Sequence, residues 1–369
     1  MRYSKLFGKT VYGDQQGGSR FISHQLLVKG GFIRASTAGR YYFLPLGWRV
    51  HEQIRAIIKQ ELDSTDAQEL ITPILHPLEL WRETNRTDSV GFELMSIQDR
   101  RGAEFALGGT AEEMMVDVVR QFQISYRDLP FNIYQFSTKF RDELRSRGGL
   151  LRVREFVMKD AYSFHTDETD FQTEYDCMAQ TYHRIYQRMG LDSAMVAADN
   201  GYIGGEFCHE FIVESDIGES RYLVSEDGSY AAHEDVAEFY REPINLDDEI
   251  LPFQIIDQPE WVKTMDDNEK HYGLPRPHYL KNVVYRHIGT DEIIIATIRG
   301  DLDVNKTKLE HVIDAVGQLE DATDDDLARI GTQSGWVHSW GHHGARYIGD
   351  LSLTTVRNFI GGQKELTTD

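Results

Sequence analysis

The sequence predicts an α+β fold, an antiparallel sheet with flanking helices, followed by a second α/β region. Three observations carry this. Two alternating segments, "FNIYQFSTKF" and "REFVMKDAYSF", flank an arginine-rich loop and read as an antiparallel hairpin. Stretches with apolar residues at helical spacing stand before and after that hairpin. Further on, "REPINLDDEILPFQIIDQPE" carries prolines and acids without a period, and marks a boundary near residues 236–260.

Taken in order, residues 48–62 place Val50, Ile54, Ile57, Ile58 and Leu62 on one helical stripe. "ELITPIL" follows as a short apolar strand. Pro73 removes a ladder donor, so this strand belongs at an edge or an interface. A second helix spans 110–120, with Thr110 as N-cap, Glu112 and Glu113 in its first turn, and Met114, Met115, Val118, Val119 and Phe122 inward. A third covers roughly 170–190, where Phe171, Tyr175, Met178, Tyr182, Ile185, Tyr186 and Met189 form a core-packing stripe. "YIGGEFCHEFIVES" and "SRYLVSEDGSYAAH" are strand-rich, the latter turning at Asp227-Gly228. Beyond the boundary, "NVVYRHI" and "EIIIATIRG" form a hairpin across a Gly-Thr-Asp turn. A helix with Leu309, Val312, Ile313, Val316 and Leu319 inward comes next. "TDDDLARIG" is a short helix capped by Thr323 and closed by Gly331.

The 369 residues are 40% hydrophobic, enough for a real core, and 39 Lys and Arg against 60 Asp and Glu give a net charge of −21. That balance argues against a general polyanion binder, yet leaves room for a local basic patch on an acidic body. Cys177 and Cys208 have no CxxC spacing, so neither a disulfide framework nor a structural zinc site is expected, and a reducing compartment fits. "MRYSKLFGKTVYGDQQGG" lacks a signal peptide's apolar core, and no run approaches membrane-spanning length. The expectation is a soluble, cytoplasmic protein with no membrane association. The run His338, His342 and His343 reads as an exposed loop rather than a metal centre.

The hairpin loop concentrates Arg141, Arg145, Arg147, Arg152 and Arg154. A guanidinium captures phosphate or carboxylate in a planar, bidentate fashion and stays charged when partly buried. Two strands joined by such a loop can present Arg141 and Arg152 toward one polyanion. Glu143, two residues beyond Arg141, shares its strand face and can accept from an amine, while Phe156 offers a ring for stacking on a base. Together these describe a nucleotide triphosphate site. No phosphate-loop or dinucleotide fingerprint is present.

"FRDE", a loop and "RVREF" follow the order Phe-Arg-x-Glu … Arg-x-x-x-Phe, which resembles motif 2 of class II aminoacyl-tRNA synthetases. "RVHEQIRAIIKQELDSTDAQELITPIL" resembles their motif 1, which builds a dimer interface, with Ser64-Thr65-Asp66 where the family usually carries a glycine. The segments "YYFLPLGWRV", "LGGTAEEMMVDVVR", "LPFNIYQFSTKFRDELRSRGGLLRVREFVMKDAYSFH" and "IGGEFCHEF" are similar to those of the bacterial type of prolyl-tRNA synthetase, in the same order.

The resemblance implies a class II synthetase core with motifs 1 and 2 over residues 1–235, then an incomplete inserted editing-like α/β domain over 236–369. Motif 3 and an anticodon-binding domain are not recognisable, so the chain reads as an N-terminal portion of such an enzyme. The implied reaction is proline–tRNA ligation: activation of proline by ATP with Mg²⁺, then transfer to tRNA(Pro), in a homodimer. Thr110, Glu112 and Arg141 would hold proline, with His209 lining the pocket. Arg141, Glu143, Arg152 and Phe156 would hold ATP, and Arg141, Glu143 and Arg152 would carry the chemistry. No resident metal is implied. A proline pocket cannot exclude alanine by size, since each missing methylene is worth only ~1–3 kcal/mol, so a second hydrolytic site is needed. Lys281 and Asp350 match that editing site, while "GTQSGWVHSWGHHGARYIGD" departs from the family's loop there. Two other readings stand beside this one. One is a relative of threonyl-tRNA synthetase, whose zinc-bearing site finds no matching Cys/His set here. The other is a non-charging paralogue that binds or deacylates tRNA.

Overall fold

The computed structural model describes residues 2–10, 21–87, 94–201 and 207–362. They divide into two compact units: Met1–Val196 with His209–Arg221, and Ala197–Cys208 with Tyr222–Asp369.

The first unit opens with α1 (Ile22–Lys29) and the antiparallel pair β1 (Ile33–Thr37) and β2 (Arg40–Phe43). Next comes α2 (Pro45–Asp63), which begins on proline, where a missing N–H costs no helix bond and the fixed φ suits the first turn. Its C-terminal end is buried: Leu62 and Ile58 pack with Ala67, Tyr134 and Phe136. Its expected stripe is only half used, because Val50 and Ile54 are exposed. Short elements follow: β3 (Gln68–Glu69), β4 (Leu75–Pro77), α3 (Leu78–Glu83), β5 (Met95–Gln98) and β6 (Glu104–Leu107). The strand expected over "ELITPIL" is shorter than its apolar run. Its ends alone pair, Glu69 in β3 with β7 and Leu75 in β4 with β6, both at sheet edges, and Pro73 lies in irregular backbone between them. Thr72 gives its N–H to the Gln135 side chain instead of a ladder, at 3.0 Å.

The unit continues with α4 (Glu112–Arg120), β7 (Phe131–Phe140), β8 (Glu155–Phe164), α5 (Glu168–Arg188), β9 (Ala194–Ala197) and β10 (His209–Ile212). β7 and β8 form the expected hairpin, in continuous register from Phe131 opposite Phe164 to Phe140 opposite Glu155. Alternation splits it into two faces. Tyr134, Phe136 and Ala161 pack with Leu62 of α2 and Met178 of α5, while Gln135, Lys139, Asp160 and Tyr162 belong to the opposite face. Thr110 is not the cap of α4. Ala111 occupies that position, and the Thr110 hydroxyl is spent on Glu112. Phe122, expected inward, falls beyond the helix end and is 65% exposed. The aromatic stripe of α5 packs as expected, with Tyr182 and Tyr186 against Phe211. Of "YIGGEFCHEFIVES", residues 202–206 lie outside the described residues.

The second unit contains β11 (Tyr222–Val224), β12 (Ala231–His233), α6 (Met265–Tyr272), β13 (Leu280–His287), β14 (Ile293–Arg299), α7 (Lys306–Val312), β15 (Leu319–Asp321), α8 (Asp324–Arg329) and β16 (Ala345–Gly349). Its main sheet runs β15-β13-β14-β16, with β14 and β16 parallel. β14 is buried along its whole length, which explains why its run is apolar rather than alternating. Tyr285, Ile294, Ala296, Leu309 and Leu319 form one core, and Ile293, Ile295 and Ile330 another. The helix expected to reach Leu319 stops at Val312, which is 75% exposed. Asp314 takes a left-handed turn (φ 59°), and Leu319 enters β15 instead. Thr323 caps α8 as expected, in a reciprocal bond with Asp326. The histidine run is not an exposed loop as a whole. His338 and His342 are buried and stacked, with ring centroids 3.5 Å apart, and only His343 is exposed. Among the described residues no helix is long and apolar enough to cross a membrane.

Candidate active site

The turn at residues 108–112 and the end of the β7–β8 hairpin meet in the first unit. Phe140 donates its N–H to Gly108 O at 3.0 Å, and the Arg141 guanidinium reaches Gly109 O at 3.5 Å. Gly108 is there because of close approach: a Cβ at that position would lie 2.2 Å from the buried His76 ring. Burial, then the charge of Lys139, lowers the His76 pKa from 6.5 to about 4, so the ring stays neutral. Thr110 donates to Glu112 Oε2 at 2.5 Å, and Arg86 donates to the same carboxylate at 3.3 Å and to Glu113 at 2.8 Å. Thr110, Glu112 and Arg141 are thus brought together from segments about thirty residues apart in the chain.

The ladder of the hairpin ends at Phe140 opposite Glu155, so Glu143 is not on a strand as the sequence suggested. It is held by the loop itself. Arg152 donates to Glu143 Oε2 at 2.9 Å, and Arg154 donates to Glu143 O at 2.7 Å. The Arg141 guanidinium stands over the Phe156 ring, 5.5 Å from its centroid, because both follow the sheet face that carries Lys139. Arg141 Nε is buried and has no hydrogen-bond partner among the described residues. The loop therefore offers one guanidinium with unused donor capacity, beside a carboxylate–guanidinium pair and an aromatic face. His209 does not join this group by any contact among the described residues. It is exposed, and its Nδ1 meets the Tyr175 hydroxyl of α5 at 2.9 Å.

Several side chains at this site escaped the motif reading. Asp160 Oδ2 accepts from Gln135 at 3.0 Å, Lys139 at 3.1 Å and Tyr162 at 2.9 Å. The ion pair is almost completely buried, with Lys139 2% exposed. Burial lowers the Lys139 pKa, and burial raises that of Tyr162, helped by the charges of Glu112 and Asp160. The signal was present: Gln135, Lys139, Asp160 and Tyr162 are among the polar members of one alternating face.

In the second unit, Lys281 pairs in register with Ile298, and Asp350 follows Gly349, which pairs with Thr297 on the next strand. Both therefore lie at one end of the sheet. Lys281 donates to Leu302 O at 3.3 Å and is ion-paired with Asp303. Asp350 accepts from Ser352 N at 2.7 Å and from Arg241 at 3.4 Å. Lys308, half-buried near Arg241 and Asp350, was not singled out from sequence. Burial and then the Arg241 charge lower its pKa.

The fold and the paired motif elements define a class. The family described as tRNA synthetase class II core domain (G, H, P, S and T) matches residues 92–318, and the chain belongs to it. Its relatives narrow this. It is 41% identical over 365 residues to a protein named proline--tRNA ligase from Sulfurihydrogenibium sp. (strain YO3AOP1), covering 99% of this chain and 64% of that one. Proteins of the same name from Fusobacterium nucleatum subsp. nucleatum and Thermotoga sp. (strain RQ2) are each 37% identical, over 99% and 100% of this chain. The chain spans 63–64% of the length of these three relatives. Among solved structures, a prolyl-tRNA synthetase from Cryptosporidium parvum complexed with L-proline and AMP has 20% identity and a TM-score of 0.45. That match covers 51% of this chain and 39% of the other, a likeness too distant to carry residue correspondences.

Proposed function

We propose that this chain carries the proline-activating centre of a proline–tRNA ligase. The observation that carries the reading is the convergence of Thr110, Glu112 and Arg141 at one turn, beside Phe156 and the Glu143–Arg152 pair. In the proposed step, a carboxylate oxygen of proline attacks the α-phosphorus of ATP in line, the bond to the bridging oxygen breaks, and pyrophosphate leaves. Both reactants are anions, so positioning and charge neutralisation dominate. Arg141 would bridge the carboxylate and the α-phosphate, Glu112 would face the secondary ammonium, Phe156 would take the adenine, and Glu143 with Arg152 would frame the nucleotide.

No group of three or more acidic, His or Cys side chains among the described residues is set to hold a metal. Mg²⁺ fits only as the nucleotide's own counter-ion on phosphate oxygens, with Glu143 able to add one ligand and the ion offsetting the pyrophosphate charge. A terminal ribose hydroxyl of tRNA(Pro) would then attack the prolyl carbonyl of the mixed anhydride, losing its proton as the bond to the phosphate oxygen breaks and AMP leaves, in the cytoplasm. His209 as part of the proline pocket belongs to the same proposal, and its partner Tyr175 is the side chain through which it would be placed.

A homodimer is part of this reading. Its support is the exposed apolar side chains of Trp48, Val50 and Ile54 on α2, and of Ile71, Ile74 and Leu75 in the segment that follows. We also assign residues 1–235 to the synthetase core and 236–369 to an inserted editing-like domain, where Lys281 and Asp350 would serve hydrolysis of alanyl-tRNA(Pro).

The test is Arg141→Ala, assayed by proline-dependent exchange of pyrophosphate into ATP in a protein carrying this sequence. Loss of one preorganised charge contact should lower exchange ~10²–10³-fold. Unchanged exchange would remove Arg141 from the chemistry.

A further inference from the structure

The turn that carries Thr110 and Glu112 has an internal bond between those two side chains, but no side-chain cap for the helix it opens. Ala111 is the cap residue of α4, its side chain cannot accept a hydrogen bond, and it is fully buried. A buried cap position without a side-chain acceptor leaves backbone donors to be satisfied from elsewhere. Here the Ala111 N–H goes to the Tyr162 hydroxyl, at 3.1 Å.

A phenol has a single proton to give. Tyr162 gives it to Asp160 Oδ2 at 2.9 Å, which leaves the oxygen lone pairs turned toward the Ala111 N–H. The Thr110 hydroxyl lies 3.5 Å from the same oxygen, but its own proton is committed to Glu112 at 2.5 Å. Asp160 is pinned in turn by Lys139 and Gln135, on the same oxygen and from the neighbouring strand. A line of polar contacts therefore runs from a rigid, buried ion pair to one backbone amide. It ends between Thr110 and Glu112, the two side chains of this turn that would hold proline.

We propose that Tyr162 is a positioning residue of the amino-acid pocket: oriented by Asp160 and Lys139, its hydroxyl fixes Ala111 and so sets the direction of Thr110 and Glu112. This rests on reading that turn as the proline site. Tyr162 itself does not touch the reacting atoms. It acts on amino-acid binding more than on nucleotide binding, since Arg152, Glu143 and Phe156 lie at the other end of the strand pair and only Arg141 reaches the turn.

Tyr162→Phe keeps the ring and deletes the oxygen. Amide exchange followed by mass spectrometry is expected to rise ~10-fold in peptides spanning 108–112, the change that loss of one hydrogen bond allows, with protection in β7 unchanged. Calorimetric titration with L-proline alone should weaken ~10-fold, while ATP affinity changes less. Unchanged exchange at 108–112 would overturn the proposal. General loss of protection through β7 and β8 would also overturn it, by assigning the hydroxyl to overall stability. If the unmutated protein takes up no proline, the prolyl reading fails, and the exchange measurement still decides the role of Tyr162.

Discussion

His76 lies beneath the turn that bears Thr110, so close to Gly108 that no larger residue fits there. Its folded pKa of about 4 against an ordinary 6.5 makes it an acid-sensitive residue. The sign follows from proton uptake. Below 6.5 the unfolded chain binds a proton that the folded protein refuses, so the His76 contribution is complete above that pH and lost as pH falls toward about 4. The full shift corresponds to roughly 3 kcal/mol. We expect urea unfolding of the first unit to lose stability over this window, and His76→Phe to flatten that loss. Identical pH slopes in the two proteins would refute the assignment. Arg141, Glu143, Arg152 and Phe156 could be named from a sequence motif because their order along the chain is distinctive. His76 could not, because a lone buried polar residue has no local pattern, and Lys139 and Asp160 showed only as polar positions on one alternating face, with nothing to say that they pair. Its significance comes from what tertiary packing puts beside it.

The arginine loop is an element with little regular structure of its own, yet it is clasped from outside. Gly39, at the β1–β2 turn, accepts from Arg154 N at 2.8 Å, opposite the site where Arg154 holds Glu143. Its φ of +74° favours glycine, and an added Cβ would sit 2.9 Å from Ser146 Cβ. Gly39→Ala should therefore cost about 1–2 kcal/mol in thermal or urea unfolding and weaken ATP binding more than proline binding. Equal affinity for ATP in the variant would separate the clasp from the loop's function. The β7–β8 hairpin was legible because its two segments alternate on either side of the loop, while the register, Phe131 with Phe164 through Phe140 with Glu155, came from the structure. The reach of α7 was not, because Val312, Val316 and Leu319 keep helical spacing past the left-handed turn at Asp314, where the backbone leaves the helix.

At the scale of the whole molecule, two further expectations concern the two units. Lys281→Ala should slow hydrolysis of alanyl-tRNA(Pro) while proline-dependent exchange is unchanged, because the proposed sites belong to different units. Equal hydrolysis by both proteins would remove Lys281 from editing. If the first unit self-associates through the apolar surface on α2, Ile54→Glu should raise the dimer dissociation constant at least ~10-fold by sedimentation, the effect of burying one uncompensated charge at an interface. Unchanged association would place the interface elsewhere. Sequence by itself determined the α+β class, the main hairpin, the cap and stop of α8, the family and the arginine-rich loop. These depend on local periodicity, turn chemistry and residue order, which are written along the chain. Only the tertiary structure decided that Arg141 meets the Thr110–Glu112 turn, that Glu143 is claimed by Arg152, that His209 pairs with Tyr175, and that a buried ion pair stands behind Tyr162. Those facts depend on which side chains distant in sequence share one small volume, where burial and charge, rather than spacing, set each partner.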